Sequence, residues 1–219
     1  QGLLFKEQES GYLAGYLAAL ESKTGTVSTV GGQKIPPVDH YIAGFQAGAK
    51  KADAGIKTLN AYSQDFVDQA KCKELALNQI AKGSKVEFQV AGQCGLGVLD
   101  AAKEKSIQGI GVDADQAYLG PQVFTSALKK VDVAVVNAIK GVQEDKYTGG
   151  QDVINSVKLG VIDLMVSGSS ISANLVPLVG TFDLGYLFNS FPQQTKAFDA
   201  GAAKPIEDAL QKGASIRII

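Results

Sequence analysis

Ile110-Gly-Val-Asp-Ala-Asp-Gln116 is an apolar run that stops abruptly in two carboxylates and an amide. Thr125-Ser-Ala-Leu-Lys-Lys130 follows shortly after and brings lysines. Carboxylates accept hydrogen bonds from hydroxyls, and a lysine donates them. Asp113, Asp115, Gln116 and Lys129 therefore suit a small polar ligand. Chemistry would need more: no nucleophile with its base and orienting group stands near these residues, so no catalytic residue is assigned. The pattern points to a receptor rather than an enzyme.

Other candidate motifs are weaker. Gly92-Gln-Cys-Gly-Leu-Gly97 follows an expected strand and opens an expected helix, but lacks the G-x-G-x-x-G spacing of a dinucleotide site. Its turn leaves backbone N–H groups for a ligand oxygen, and Gly95 is the candidate. His40, the single histidine, stands beside Asp39 without a nucleophile elbow and reads as a surface or helix-end residue. Ser167–Ser172 reads as a connection or an anion nest. Phe66 either stacks on a flat ligand or staples the helix after it. With Phe66, Gly95, Asp113 and Lys129 expected at one sheet edge, the binding reading gains, for a ligand that joins a ring to a polyol.

The elements that must position these residues alternate. Helices are predicted over Glu7–Lys23, Val38–Ala52, Asp68–Ala81, Gly95–Glu104 and Ala127–Val142, from apolar stripes at helical spacing. Strands are predicted over Thr26–Val30, Ile56–Tyr62, Val86–Val90 and Ile107–Val112, with a short extended piece at Gln122–Ser126. Short apolar strands between helices imply a parallel sheet covered on both faces. Ligands of such sheets bind outside the carboxyl ends of the strands, where the Asp113 edge falls.

The texture changes after Tyr147-Thr-Gly-Gly150. A short helix is expected at Val153–Lys158, a strand at Gly160–Val166, helices at Phe191–Ala200 and Ala203–Lys212, and a last strand at Ser215–Ile219. The expected division is residues 1–150 as an α/β lobe and 151–219 as a smaller α/β segment.

Composition narrows the class. The 219 residues are 45% hydrophobic and 20% charged, enough to bury a core. A net charge of −1 offers no basic surface for nucleic acid. No run approaches the ~20 apolar residues of a membrane span. The first residues lack the ordered regions of a signal peptide, and Gln1 reads as a cut end. Cys72 and Cys94 fit either a disulfide, which would imply export, or two buried thiols. Without a nearby histidine they do not make a metal site, and no cofactor is implied.

Several stretches carry a more specific signal. Phe5-Lys-Glu-Gln-Glu-Ser-Gly-Tyr-Leu-Ala-Gly15, Gly44-Phe-Gln-Ala-Gly48, Val90-Ala-Gly-Gln-Cys-Gly-Leu-Gly97, Gly111-Val-Asp-Ala-Asp-Gln116 and Thr125-Ser-Ala-Leu-Lys-Lys-Val-Asp132 make residues 3 to about 150 resemble the basic membrane lipoproteins. These are the purine nucleoside receptor group of ABC-transporter substrate-binding proteins. The resemblance implies a periplasmic-binding-protein-like, flavodoxin-like lobe that is lipid-anchored or secreted, periplasmic or extracellular, with a nucleoside as ligand and a membrane permease as partner. Carried over by position, Phe66 would stack on the base and Gly95 would offer its backbone. Asp113 would hold ribose hydroxyls, and Lys129 would complete the polar set. The lobe that precedes this region in the family is not matched here, and half a cleft would bind weakly. Residues 151–219 instead resemble the solute-binding subunits of TRAP transporters, through Gln151-Asp-Val-Ile-Asn-Ser-Val-Lys-Leu-Gly160 and Val176-Pro-Leu-Val-Gly-Thr-Phe-Asp-Leu-Gly185. This second resemblance implies either an organic-acid receptor or an engineered chimera without a ligand.

Overall fold

The computed structural model describes residues 2–22 and 24–166. The chain divides into two compact units, Gln1–Met165 and Val166–Ile219. The elements expected at Phe191–Ala200, Ala203–Lys212 and Ser215–Ile219 lie outside the described residues, as does Ser167–Ser172.

Strands β1 (Leu3–Phe5), β2 (Thr26–Gly31), β3 (Lys57–Tyr62), β4 (Val86–Val90), β5 (Gln108–Asp113), β6 (Val123–Lys129), β7 (Val153–Asn155) and β8 (Ile162–Val166) alternate with five helices. The helices are α1 (Glu7–Glu21), α2 (Pro36–Ala52), α3 (Gln69–Ala81), α4 (Gly95–Glu104) and α5 (Val131–Gln143). The main sheet has the order β3-β2-β4-β5-β6-β8, and its pairings from β3 to β6 are parallel. The carboxyl ends of β2 to β6 therefore share one edge.

Local chemistry sets the helix starts. Pro36 and Pro37 open α2, where a proline loses no hydrogen bond. Asp68 caps α3 by accepting the Ala70 and Lys71 amides at 3.0 and 3.2 Å. Helices α1 and α2 meet backbone to backbone. A Cβ at Gly11 or Gly15 would lie on the carbonyl of Tyr41 or Phe45, and one at Gly44 or Gly48 on that of Gln8 or Tyr12. This pair covers one sheet face, where Phe45 stacks on Phe88 at 5.4 Å and Tyr41 meets it edge-on at 6.0 Å. The opposite face, under α3 and α4, buries Val30, Cys72, Ala76, Ala91, Cys94, Val98 and Ala101.

Cys72 and Cys94 are joined by a disulfide between α3 and the turn before α4. It closes a loop of 22 residues, which is expected to contribute about 3 kcal/mol. Reduction is expected to lower the melting temperature by roughly 5–12 °C. Thermal unfolding with and without reductant checks this, with intact mass reporting the two hydrogens gained.

Two expected elements differ, and one strand is additional. The helix predicted from Ala127 begins at Val131, and Ala127–Lys129 extend β6 instead. Leu128 pairs with Asp113 in the sheet, and Ala127 and Leu128 are both buried. Burial on both faces of a strand outweighs their helix propensity. The helix predicted at Val153–Lys158 is strand β7 followed by a 3-10 turn. Its residues pair in parallel with Leu3–Phe5, a strand the sequence reading did not contain. The chain thus continues past Gly149-Gly150 into the same unit, with β7 on β1 and β8 in the main sheet.

Candidate functional site

Asp113 ends β5 in the left-handed region, with φ +65°. Aspartate tolerates this conformation better than most residues, and such backbone clusters at functional sites. The turn beyond is fixed from within. The Gln116 side chain folds back so that its Oε1 accepts the Val112 amide at 3.0 Å and Gln89 Nε2 at 2.7 Å. The Gln116 amide donates to Ser126 Oγ at 3.0 Å. Asp115 Oδ1 accepts the Ala117 amide at 3.0 Å. Gln116 and Asp115, expected to face a ligand, are committed to the loop, which leaves Asp113 exposed at the strand end.

Lys129 stands on the neighbouring strand end rather than in a helical first turn. Its Nζ lies 2.9 Å from Glu7 Oε1 and 4.9 Å from the centre of the Phe5 ring. Glu7 opens α1 and is buried at 4% exposure. Its other oxygen lies 3.4 Å from His40 Nδ1. The buried Tyr41 hydroxyl donates to Asp113 Oδ1 at 3.4 Å. The strand ends and the first two helices thus join Glu7, His40, Tyr41, Asp113 and Lys129 in one polar cluster. His40, exposed like Asp113, pairs with Glu7 and not with Asp39.

The cluster shifts its own protonation. Partial desolvation of its carboxyl raises Asp113 above the usual range, and Glu7 adds to this, while Lys129 and the Tyr41 hydroxyl oppose it. Burial raises Tyr41 strongly, helped by Asp113 and Glu7, so its phenol stays a neutral donor. Nothing here activates a nucleophile. The arrangement can accept and donate hydrogen bonds to hydroxyls. Among the described residues, no group of three His, Cys, Asp or Glu could hold a metal ion.

Phe66 lies in the turn between β3 and α3. Its ring covers Gly32, where an added Cβ would strike it, and reaches towards Gly92. The ring therefore lies over the ends of β2 and β4, next to β5 in the sheet order. A staple for α3 would come from the residue before the Asp68 cap, which is the exposed Val67. Gly95 differs from the expectation. It is buried, its amide donates to the carbonyls of Ala91 and Gly92, and a Cβ there would strike Gln89. The exposed glycine of the turn is Gly92, with φ +57°, beside the Phe66 ring.

Sequence reasoning missed Glu7, Tyr41 and Gly92. A glutamate in a first helical turn reads as a complement to the helix dipole, and a tyrosine on an apolar face reads as core. Only the position of Glu7 inside the Phe5–Gly15 stretch that carries the resemblance could have marked it.

Comparison with known proteins gives a consistent neighbourhood. The PnrA-like substrate-binding proteins of ABC transporters match residues 2–177. Basic membrane protein D of Borreliella burgdorferi (strain JD1) is 40% identical over 62% of this chain and 41% of its own length. The ABC transporter nucleoside-binding protein BmpA of Lactococcus lactis subsp. cremoris is 33% identical over 73% of this chain and 51% of its own. The chain spans about half the length of these curated relatives. A solved ABC transporter solute-binding protein from Aeropyrum pernix K1 superposes with a TM-score of 0.69 at 26% identity, covering 96% of this chain and 63% of that one. A second, from Conexibacter woesei, gives 0.62 at 21% identity, over 85% of this chain and 64% of that one. The fold is periplasmic-binding-protein-like α/β, as the alternation of short strands and helices implied.

Proposed function

The chain belongs to the PnrA-like substrate-binding proteins of ABC transporters, and from that membership we propose that its sheet edge holds a nucleoside. The family is one of solute binding rather than catalysis. The observation that carries the nucleoside reading is the pairing of an aromatic face with a carboxylate on adjacent parts of one edge. The Phe66 ring lies over Gly32 beside Gly92, and Asp113 stands exposed at the end of β5. A base would stack on Phe66, ribose hydroxyls would donate to Asp113, and Lys129 would donate to a ligand oxygen. The exposed backbone of Gly92, rather than Gly95, would meet the ligand. The printed name of the Lactococcus relative supports the ligand class.

Partners follow from the family: a small-molecule ligand and the membrane permease of a transporter. The proposed location is periplasmic or extracellular, lipid-anchored or secreted, which the Cys72–Cys94 disulfide supports. Among the described residues, no helix is long and apolar enough to cross a membrane. The second reading, a TRAP-type organic-acid receptor or a chimera joined near Gly149–Asp152, draws no support from the described residues 151–166. The family match crosses that join and runs to residue 177.

Calorimetric titration with inosine, guanosine and adenosine tests the proposal. Heat of binding is expected, weak if half a cleft acts alone. Phe66→Ala is expected to weaken binding by about 1–3 kcal/mol, the worth of a stacked base. Asp113→Asn, which keeps the left-handed backbone, is expected to cost roughly tenfold. No heat at millimolar nucleoside from folded protein would sink the reading.

A further inference from the structure

We propose that Glu7 sets the charge preference of this edge by holding Lys129 as a neutralised donor, so that the site favours uncharged ligands over phosphorylated ones. The inference rests on the nucleoside reading. Taken alone, Asp113 and Lys129 are one carboxylate and one ammonium, a balanced pair that would tolerate a phosphate on the ligand. The structure adds a second carboxylate. Glu7 is 4% exposed and its Oε1 lies 2.9 Å from Lys129 Nζ, whose side chain is 19% exposed. The Phe5 ring at 4.9 Å closes another side of the ammonium. Lys129 therefore keeps donors for a neutral oxygen, while its charge is already answered.

The remaining groups do not restore a cation. The Tyr41 phenol is neutral and engaged with Asp113, and the exposed His40 lies 3.4 Å from the other Glu7 oxygen. Besides His40 and the Tyr41 phenol, the cluster sets two carboxyl groups, Glu7 and Asp113, against the single amine of Lys129. A phosphate placed here would meet Asp113 without a free counter-charge, and like charges side by side exclude a ligand. Glu7 is thus a positioning and specificity residue: it acts on the ligand through Lys129.

The test compares inosine with inosine 5′-monophosphate on the wild type and on Glu7→Gln, by calorimetry. The wild type is expected to prefer the nucleoside by at least roughly tenfold, and Glu7→Gln to narrow that ratio by about tenfold by gaining affinity for the nucleotide. Equal weakening of both ligands, as from a merely structural loss, would overturn the proposal. A second readout needs no ligand. Acetylation of Lys129 Nζ, mapped by mass spectrometry against Lys130, is expected to speed up several-fold in Glu7→Gln and less in Glu7→Asp, which keeps the charge one methylene short. Glu7→Asp also serves if Glu7→Gln does not fold. An unchanged Lys129 to Lys130 ratio in the folded variant overturns the inference. If the wild type gives no heat with any nucleoside, the nucleoside reading falls, and the acetylation ratio alone decides whether Glu7 holds Lys129.

Discussion

Gly48→Leu is expected to destabilise the first unit by roughly 3–5 kcal/mol, a large fraction of the margin of a domain. The reason is the crossing of α1 and α2. A Cβ at Gly48 would lie on the Tyr12 carbonyl and against the Tyr16 amide, both backbone groups that rotamer changes cannot move. The helices would have to separate. Phe45 stacks on Phe88 from the same face of α2 and would lose that packing. Overpacking usually costs about 1–3 kcal/mol where side chains can adjust, and more where backbone must shift. Gly141→Leu is the control, because a Cβ there meets open space and helix propensity improves. Urea unfolding followed by circular dichroism separates the two. A wild-type midpoint for Gly48→Leu would show that the helix crossing is not as tight as described.

The second large effect concerns Glu87. This residue is fully buried on β4, level with Ser28 on β2 and Gly109 on β5. Neither carboxyl oxygen has a partner within hydrogen-bonding geometry, and burial pushes its pKa up to about 8, while the Ser84 and Ser28 hydroxyls nearby oppose this. In the unfolded chain the same group titrates near 4.5. Below that pH both states are protonated and the residue costs nothing electrostatically. Between 4.5 and about 8 the native state keeps a proton that the unfolded state has lost. Stability therefore falls as pH rises through this window, by up to about 1.4 kcal/mol per pH unit. Glu87→Gln keeps the shape and removes the titration. It is expected to match the wild type near pH 4.5 and to exceed it by several kcal/mol at pH 8.5. Urea midpoints of the two proteins across pH 5–8.5 check this. Parallel curves would mean that Glu87 is not carrying the proton.

The fold was legible because its signals are local. Strand β4 and helix α4 have the bounds expected from periodicity, and the Asp68 cap and the Pro36-Pro37 start mark α3 and α2 where their chemistry requires. What the sequence hid depends on distant partners. Leu3–Phe5 and Val153–Asn155 are three-residue strands, too short to show alternation, and each exists because of the other. Ala127–Lys129 suit a helix until Val112 and Asp113 pair with them. The candidate edge lies at strand ends, yet the hydrogen-bond partners of its members were not legible. Gln116 carries the polarity of a ligand contact and spends it on Val112 and Gln89. Gly95 is small because Gln89 presses on it, whereas Gly92 is the glycine left open. Glu7 sits 122 residues from Lys129, and nothing in its neighbourhood announces the pair.

The β1–β7 pairing also fixes an order of events during synthesis. Leu3 waits for Val153, 150 positions later, before its strand has a partner. At roughly 5–20 residues per second that wait lasts about 10–30 s. Over the same interval α1 and α2, separated by few residues, can already pair. The β1–β7 ladder thus closes long after the α1–α2 contact, although β1 directly precedes α1 in the chain. A nascent chain stalled before residue 153 would carry a docked α1 with β1 unpaired, open to proteases and chaperones.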